Sequence, residues 1–221
     1  MKKHLFTTAI ALTFAAAAHA APCDTTTDED ATTPLTYSAA KGNTANVRCL
    51  LDAGENINTA DESGWTPLIS AAHHGHTDTA RLLIEKGAAV DAAKMDGSTA
   101  LMVAAYKGHT DAARLLLEKG ASVDATARHG VTALMDAAVQ GHTDIVRLLL
   151  EKGANVNATA RYGATALMTA AGAGHTDTAR LLIEKGANVN AVTESGQTAL
   201  SAAERFGHAE IVKLLKAAGA K

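Results

Sequence analysis

The stretch Ala127–Thr159, ARHGVTALMDAAVQGHTDIVRLLLEKGANVNAT, decides the fold, because most of the chain consists of near copies of it. Its turn glycine recurs every 33 residues, at Gly64, Gly97, Gly130, Gly163 and Gly196. Gly-His pairs keep the same interval and begin at Gly75, Gly108, Gly141, Gly174 and Gly207. A fixed period of this length is the signature of a stacked repeat array.

Each copy is predicted to form two short helices and a loop. Thr132 is placed to cap the first helix, and Leu134, Ala137 and Ala138 give that helix an apolar stripe. Gly141 is expected to end it in the left-handed conformation. The His-Thr-Asp that follows offers an oxygen side chain to cap the second helix. The second helix is predicted to bury Ile145, Val146, Leu148 and Leu149.

The copy that begins at Asp61 resembles an ankyrin repeat. The resemblance rests on Thr66-Pro67-Leu68, Ala71-Ala72, Gly75-His76 and the Leu-Leu and Gly-Ala pairs that follow. It implies an all-α repeat solenoid of six stacked helix-turn-helix units of 33 residues, with loop or β-hairpin tips. One position departs from the family pattern, because Ile69 stands where the family has a histidine that ties the turn by hydrogen bonds.

The chain is predicted to contain one repeat domain, residues 31–221, preceded by a secretory signal peptide, residues 1–20, and a flexible acidic lead, residues 21–30. No linker interrupts the period, and the first and last units are more polar, as end caps require. The expected units are approximately 28–60, 61–93, 94–126, 127–159, 160–192 and 193–221.

Residues 1–20 have the parts of a secretory signal peptide. Lys2 and Lys3 form a basic start, Leu5–Ala18 is apolar, and Ala18-His19-Ala20 fits a cleavage site. A membrane anchor is the alternative, but the apolar run is shorter than the ~20 residues that a spanning helix needs. We therefore expect cleavage after Ala20 and a periplasmic location.

The charge of the chain argues against several classes of partner. Loss of Lys2 and Lys3 leaves 18 basic against 23 acidic residues, a net charge of about −5. An acidic chain lacks the basic footprint of a nucleic-acid binder and is not attracted to an anionic membrane surface. We expect a monomer that binds another protein and carries no cofactor.

Two cysteines, Cys23 and Cys49, lie near the N-terminus. In an oxidising compartment they are expected to form a disulfide that fastens the lead to the first unit. The alternative is a buried thiol, because Cys49 occupies the position filled by Leu82 and Leu148 in later units.

No group of residues indicates catalysis or a metal site. The Gly-His histidines recur with the fold, and His73 and His74, which we expect to be exposed, have no cysteine nearby. Met102, Met135 and Met168 recur every 33 residues and are interpreted as core residues, with an oxidant-quenching or soft-metal stripe as the alternative. We therefore predict that the chain is not an enzyme and binds no metal.

Exposed positions that vary between units are the candidates for recognition. They lie at the loop tips and at the ends of the first helices, and in proteins that resemble this family these two sets line one surface, which we call the concave face. Trp, Tyr and Arg dominate binding hot spots, although unselected surface side chains would look the same. The predicted partner-binding residues are Trp65, His73, His74, Met95, Tyr106, Lys107, Arg128, His129, Arg161 and Tyr162.

The resemblance and the residues together predict an exported, non-catalytic protein-binding module, a scaffold, adaptor or inhibitor of a periplasmic protein. Two alternatives stay open. One is an accessory factor for a periplasmic oxidative-stress enzyme, suggested by the methionines. The other is a histidine-based metal binder.

Overall fold

The computed structural model describes residues 23–27 and 33–221, and each predicted unit in this part of the chain contributes one pair of helices. The all-α repeat solenoid predicted from the sequence is confirmed. In chain order the helices are α1 (Pro34–Ala40), α2 (Thr44–Asp52), α3 (Pro67–His73), α4 (Thr77–Glu85), α5 (Ala100–Lys107), α6 (Thr110–Glu118), α7 (Ala133–Gln140), α8 (Thr143–Glu151), α9 (Ala166–Ala173), α10 (Thr176–Glu184), α11 (Ala199–Arg205) and α12 (Ala209–Ala217).

The helices form two layers with one continuous core between them. Odd-numbered helices pack against one another, even-numbered helices do the same, and each pair also packs within its unit. Ala104 and Ala105 of α5 are fully buried, and their small side chains let neighbouring first helices approach closely. The second helices fill the remaining space with leucines such as Leu115 and Leu116. Burial between units therefore supplies the stability that one unit lacks.

The first helices begin as the sequence predicts. The Thr66 hydroxyl accepts a hydrogen bond from the Ile69 N–H, at 3.3 Å, and Thr132 does the same for Met135, at 3.4 Å. Pro67 stands at the first turn of α3, where its missing N–H leaves no bond unmade. Each of these caps satisfies a backbone donor that the helix itself cannot.

The second helices begin differently from the prediction. In five of the units within the described residues the residue that caps the helix is the histidine of the Gly-His pair, and its side chain makes no capping bond. In α4 and α8 the threonine that follows the histidine bonds to the preceding glycine instead, and the Thr143 hydroxyl donates to the Gly141 carbonyl at 3.4 Å. The predicted oxygen cap is therefore wrong for these helices. Among the second helices within residues 33–221, α2 alone has an oxygen cap there, from Asn43.

The cap histidines have another task, because each bonds to the preceding unit. The Nε2 atom of His109 donates to the His73 carbonyl at 2.9 Å, and that of His142 donates to the Tyr106 carbonyl at 3.1 Å. The histidine ring also packs on the preceding unit's glycine: a Cβ atom at Gly141 would lie 2.5 Å from Nδ1 of His175. The Gly-His pairs thus hold the C-terminal ends of the first helices in place.

The tips are loops rather than β-hairpins. One isolated antiparallel bridge, between Ala93 and Thr99, is the nearest approach to a strand within residues 33–221. Backbone bonds join successive tips, as between the Met95 N–H and the Ser63 carbonyl, at 3.1 Å.

Two tips hold strained backbone, because His129 and Tyr162 have φ angles of 66° and 63°. That left-handed region disfavours residues with a side chain.

The N-terminal segment lies on the first unit. Cys23 and Cys49 are joined by a disulfide, with Cα atoms 5.6 Å apart, and Cys23 packs against the core. The Asn46 side chain adds two hydrogen bonds to the backbone of Asp24, at 2.7 and 2.9 Å. The predicted signal peptide, residues 1–20, lies outside the described residues. Among the residues that are described, no helix has the length and apolar character needed to cross a membrane.

Candidate functional site

A cavity of about 270 Å³ opens between the tips and the first helices of the second, third and fourth units. We call it the Trp65 cavity. Its walls combine aromatic, basic, acidic and apolar side chains from three units, so no single repeat could form it. It is lined by Trp65, His73, Lys94, Ser98, Met102, Val103, Tyr106, Lys107 and Asp136.

Trp65 forms one wall and is held from several directions. Its backbone N–H donates to the Asp61 carboxylate at 2.9 Å, and its partly buried ring packs against the core. The His73 ring meets it edge-on, with ring centres 5.1 Å apart. The Lys94 ammonium lies 4.6 Å from the ring centre, in cation–π contact. These contacts fix the ring before any partner arrives.

The charge of Lys94 is already paired. Its Nζ atom donates to the Asp96 carboxylate at 3.2 Å, and only 18% of its side chain is exposed. The Ser98 N–H donates to the other oxygen of Asp96 at 2.9 Å, and this bond, followed by the hydroxyl and Lys94, holds the pKa of Asp96 below its usual range. Asp96 therefore stays ionised beside the cavity.

His73 is kept neutral by its surroundings. Burial, together with the positive charges of Lys107 and Lys94, lowers its pKa from 6.5 to about 4. The prediction that His73 is exposed is wrong, because Trp65 covers one side of the ring. His74 is exposed as predicted, and its ring nitrogen donates to the Ser70 carbonyl at 3.0 Å.

Asp136 places an acid in the wall of the same cavity. Burial, and then the negative charge of Asp96, raises the pKa of Asp136 from 3.8 to about 7. Among the residues that the structure describes, the Asp136 carboxyl has neither a hydrogen bond nor an ion pair that would offset the cost of ionising it. Its oxygens are nevertheless reachable, since no buried side-chain oxygen in this part of the chain lacks a partner. Strongly perturbed acids of this kind are typical of functional sites.

A second cavity, of about 390 Å³, repeats this location two units further along. We call it the Phe206 cavity. Met168 takes the place of Met102, but smaller and uncharged residues replace the others, including Gly172 for Tyr106 and Ala202 for Asp136. It is lined by Val139, Ala164, Met168, Thr169, Gly172, Ala173, Thr193, Gln197, Thr198, Ala202 and Phe206.

Comparison with known proteins identifies the array. The family model for ankyrin repeats matches the chain in three copies, over residues 9–94, 89–160 and 159–221. The chain belongs to the ankyrin-repeat family. It is similar to the crystal structure of an ankyrin repeat domain from Acinetobacter baumannii AYE, with 36% identity, a TM-score of 0.76, and coverage of 85% of this chain and 98% of that one. No curated protein matches the chain.

Ankyrin repeat domains generally mediate protein–protein interaction, and their fold is typically a non-catalytic scaffold. Neither the family nor the structural match indicates an enzyme.

Four of the predicted partner-binding residues share the Trp65 cavity: Trp65, His73, Tyr106 and Lys107. A second group lies at the fourth and fifth tips, where the Arg161 guanidinium is 3.4 Å from Nδ1 of His129 and 4.6 Å from the centre of the Tyr162 ring. The other predicted residues, Met95, His74 and Arg128, are exposed but line neither cavity.

The sequence reasoning missed Lys94 and Asp136. A signal for Asp136 existed, because the other units have uncharged residues at its position, among them Val103 and Thr169. A charged residue at a helix position that is uncharged in the other units therefore marks a candidate binding residue, as an aromatic residue does at a variable tip position.

The three aligned methionines are core residues. Met102, Met135 and Met168 are buried between the first helices. Among the described residues no three His, Cys, Asp or Glu side chains are grouped so as to hold a metal ion.

Proposed function

We propose that this ankyrin protein is an exported, non-catalytic module that binds another protein through its concave face, as a scaffold, adaptor or inhibitor. The Trp65 cavity carries the proposal. It is built by three units, it presents Trp and Tyr, which dominate hot spots, and the units stack equally well where Gly172, Ala173 and Ala202 replace Tyr106, Lys107 and Asp136.

The mechanism is presentation of a preformed surface. Lys94 and His73 hold the Trp65 ring, and hydrogen bonds from His109 and His142 fix the ends of α3 and α5. Little conformational entropy is then lost when a partner docks, so more of the contact energy appears as affinity.

Affinity capture from periplasmic extract tests the concave face. Tyr106→Ala and Arg128→Ala alter exposed side chains and should leave melting nearly unchanged. We expect Tyr106→Ala to weaken capture of the main partner by about tenfold, roughly 1.4 kcal/mol. Phe206→Ala removes another exposed aromatic ring, three units away, and is the matched control. Wild-type capture by Tyr106→Ala, Arg128→Ala and Trp65→Phe alike would exclude this face.

Export is a separate part of the proposal. The basic, apolar and small-residue parts of residues 1–20 support it. The Cys23–Cys49 disulfide supports it as well, because disulfides persist in oxidising compartments. Cell fractionation followed by N-terminal sequencing should find a periplasmic chain that begins at Ala21. A cytoplasmic chain that begins at Met1 would contradict export.

The two alternatives have less support. Selective oxidation of Met102, Met135 and Met168 requires sulfur atoms that peroxide can reach, and these side chains are buried. Histidine-based metal binding requires converging ligands, and the five Gly-His rings instead donate to backbone carbonyls of preceding units.

A further inference from the structure

We propose that the Trp65 cavity takes one basic side chain of the partner protein, an arginine in preference to a lysine, whose cation pairs with Asp136. The proposal rests on the proposed function and names the chemistry of its central contact. It goes beyond the general use of ankyrin repeats, because only this part of the chain offers such a pocket among the described residues.

Asp136 is the acidic group that lines the cavity, and its carboxyl lacks a partner among the described residues. Lys94 is already paired with Asp96 and stacked on Trp65, whereas the Asp136 carboxyl receives neither a hydrogen bond nor a salt bridge within residues 23–27 and 33–221. A guanidinium would supply two parallel donors to that carboxylate. The gain would be greater than at an open surface, because the neighbouring helices partly exclude water from Asp136.

The size and walls of the cavity suit a single long side chain. About 270 Å³ is below the usual range for a small-molecule pocket. Trp65, Tyr106 and Met102 offer flat or flexible apolar surface along which an arginine stem can lie. Lys94 already demonstrates that a cation is stable against the Trp65 ring, at 4.6 Å.

Lys107 also faces the cavity and repels a basic ligand, so its effect has to be weighed against that of Asp136. It is exposed, so water and salt screen its repulsion, whereas the pair with Asp136 forms in a more enclosed place. The guanidinium spreads its charge over a plane and is more weakly hydrated than an ammonium, which favours arginine over lysine here. The competing occupant is an acidic side chain held by Lys107.

Trp65 is the only tryptophan in the chain, so its fluorescence reports directly on the cavity. The test titrates the oxidised, mature protein with N-acetyl-arginine N-methylamide, its uncharged citrulline counterpart and N-acetyl-glutamate N-methylamide, at constant ionic strength. We expect a saturable response to the arginine probe and binding about tenfold weaker for the citrulline probe. No saturable response to any probe would overturn the proposal.

Variants assign the response to Asp136. Asp136→Asn should weaken the arginine probe about tenfold, while Asp144→Asn, the same change on the exposed surface of α8, should have no effect. Lys107→Gln should tighten binding of the arginine probe. Unchanged binding in Asp136→Asn, or preference for the glutamate probe that disappears in Lys107→Gln, would show that the anchor is not basic.

The pH dependence gives an independent readout. The charged groups near Asp136 are Lys94, Asp96, Lys107 and neutral His73, and α9 contributes no titratable side chain. Since Asp136 must be ionised to pair, the arginine probe should bind up to about tenfold more tightly at pH 8 than at pH 6. Tighter binding at pH 6 would contradict the pairing. The two proposals can fail separately. If the probes do not bind but partner capture is still weakened by Tyr106→Ala, the proposed function stands and the basic anchor does not.

Discussion

The Trp65 cavity and the Phe206 cavity occupy the same place in the array, two units apart, but differ in almost every side chain that a partner could touch. The first presents Tyr106, Lys107 and Asp136, and the second has Gly172, Ala173 and Ala202 at the same positions. Both share a buried methionine at the base and both are framed by the same helix packing. The helix packing is therefore compatible with either set of lining side chains.

This difference separates what the fold needs from what it merely carries. A lining without charged side chains is enough to stack units, as the Phe206 cavity demonstrates. The ring of Tyr106, the ammonium of Lys107 and the half-buried carboxyl of Asp136 are additions, and Asp136 weakens the folded state. Residues that reduce stability without a packing role are characteristic of binding sites.

Removal of the Asp136 carboxyl should produce the largest change in the free energy of unfolding. Its folded pKa of about 7 lies above the unfolded value of 3.8, so the folded state holds the proton more tightly, and stability falls as pH rises from about 4 to 7. Asp136→Asn should raise the free energy of unfolding by roughly 2–4 kcal/mol at pH 8 and change it little at pH 4. Urea unfolding at both pH values measures this.

Asp144→Asn is the control for that prediction, because its carboxyl is exposed and should contribute within about 0.5 kcal/mol at either pH. If Asp136→Asn lowers stability equally at pH 4 and pH 8, the acid is structural. The contrast between the two cavities would then lose its main support.

The fold was predictable because its signals are local and repeated. Thr66 and Thr132 cap first helices as expected, and Gly141 ends α7 with a φ angle of 73°. The expected cap of the second helices failed for a non-local reason. The residue at that place, such as His109, is engaged with a carbonyl of the preceding unit, which one unit's sequence does not reveal.

The site was only half predictable. Trp65 and Tyr106 were identified because large aromatics at exposed positions break the repeat. Asp136 was missed because its significance depends on neighbours from other units. Its desolvation comes from the packed helices around it, and the negative charge that raises its pKa is that of Asp96 in the previous tip, so neither can be inferred from α7 alone.

The Phe206 cavity permits a smaller test of the framework. Gly172 lies inside α9 in ordinary helical conformation, and a Cβ atom there would be 3.8 Å from the Ala202 Cβ. Gly172→Ala should therefore raise stability by about 0.5–1 kcal/mol, because alanine loses less backbone entropy on folding. Thermal unfolding of the variant measures the gain.

Gly141→Ala provides the opposing case. Its positive φ and the His175 ring leave no room for a methyl group, so the substitution should destabilise the protein by more than about 1 kcal/mol. Stabilisation by Gly172→Ala together with destabilisation by Gly141→Ala would show that glycine is needed for packing at the Gly-His turns but only lines the cavity at Gly172. A loss of stability in both variants would contradict this distinction.

At neutral pH the smallest effect is expected at His73, whose counterpart in the Phe206 cavity is the non-titrating Val139. The folded pKa of about 4 lies below the unfolded 6.5, so His73 makes stability rise with pH between these values, while Asp136 makes it fall over nearly the same range. The contributions of His73 and Asp136 to the free energy of unfolding oppose each other, so they should nearly cancel in the wild-type protein between about pH 4 and pH 7. His73→Gln should uncover the downward slope of Asp136, and the double variant with Asp136→Asn should be flat again. A flat profile in the single variant would mean that the two side chains do not titrate as the Trp65 cavity requires, and the charge difference between the cavities would have no consequence for stability.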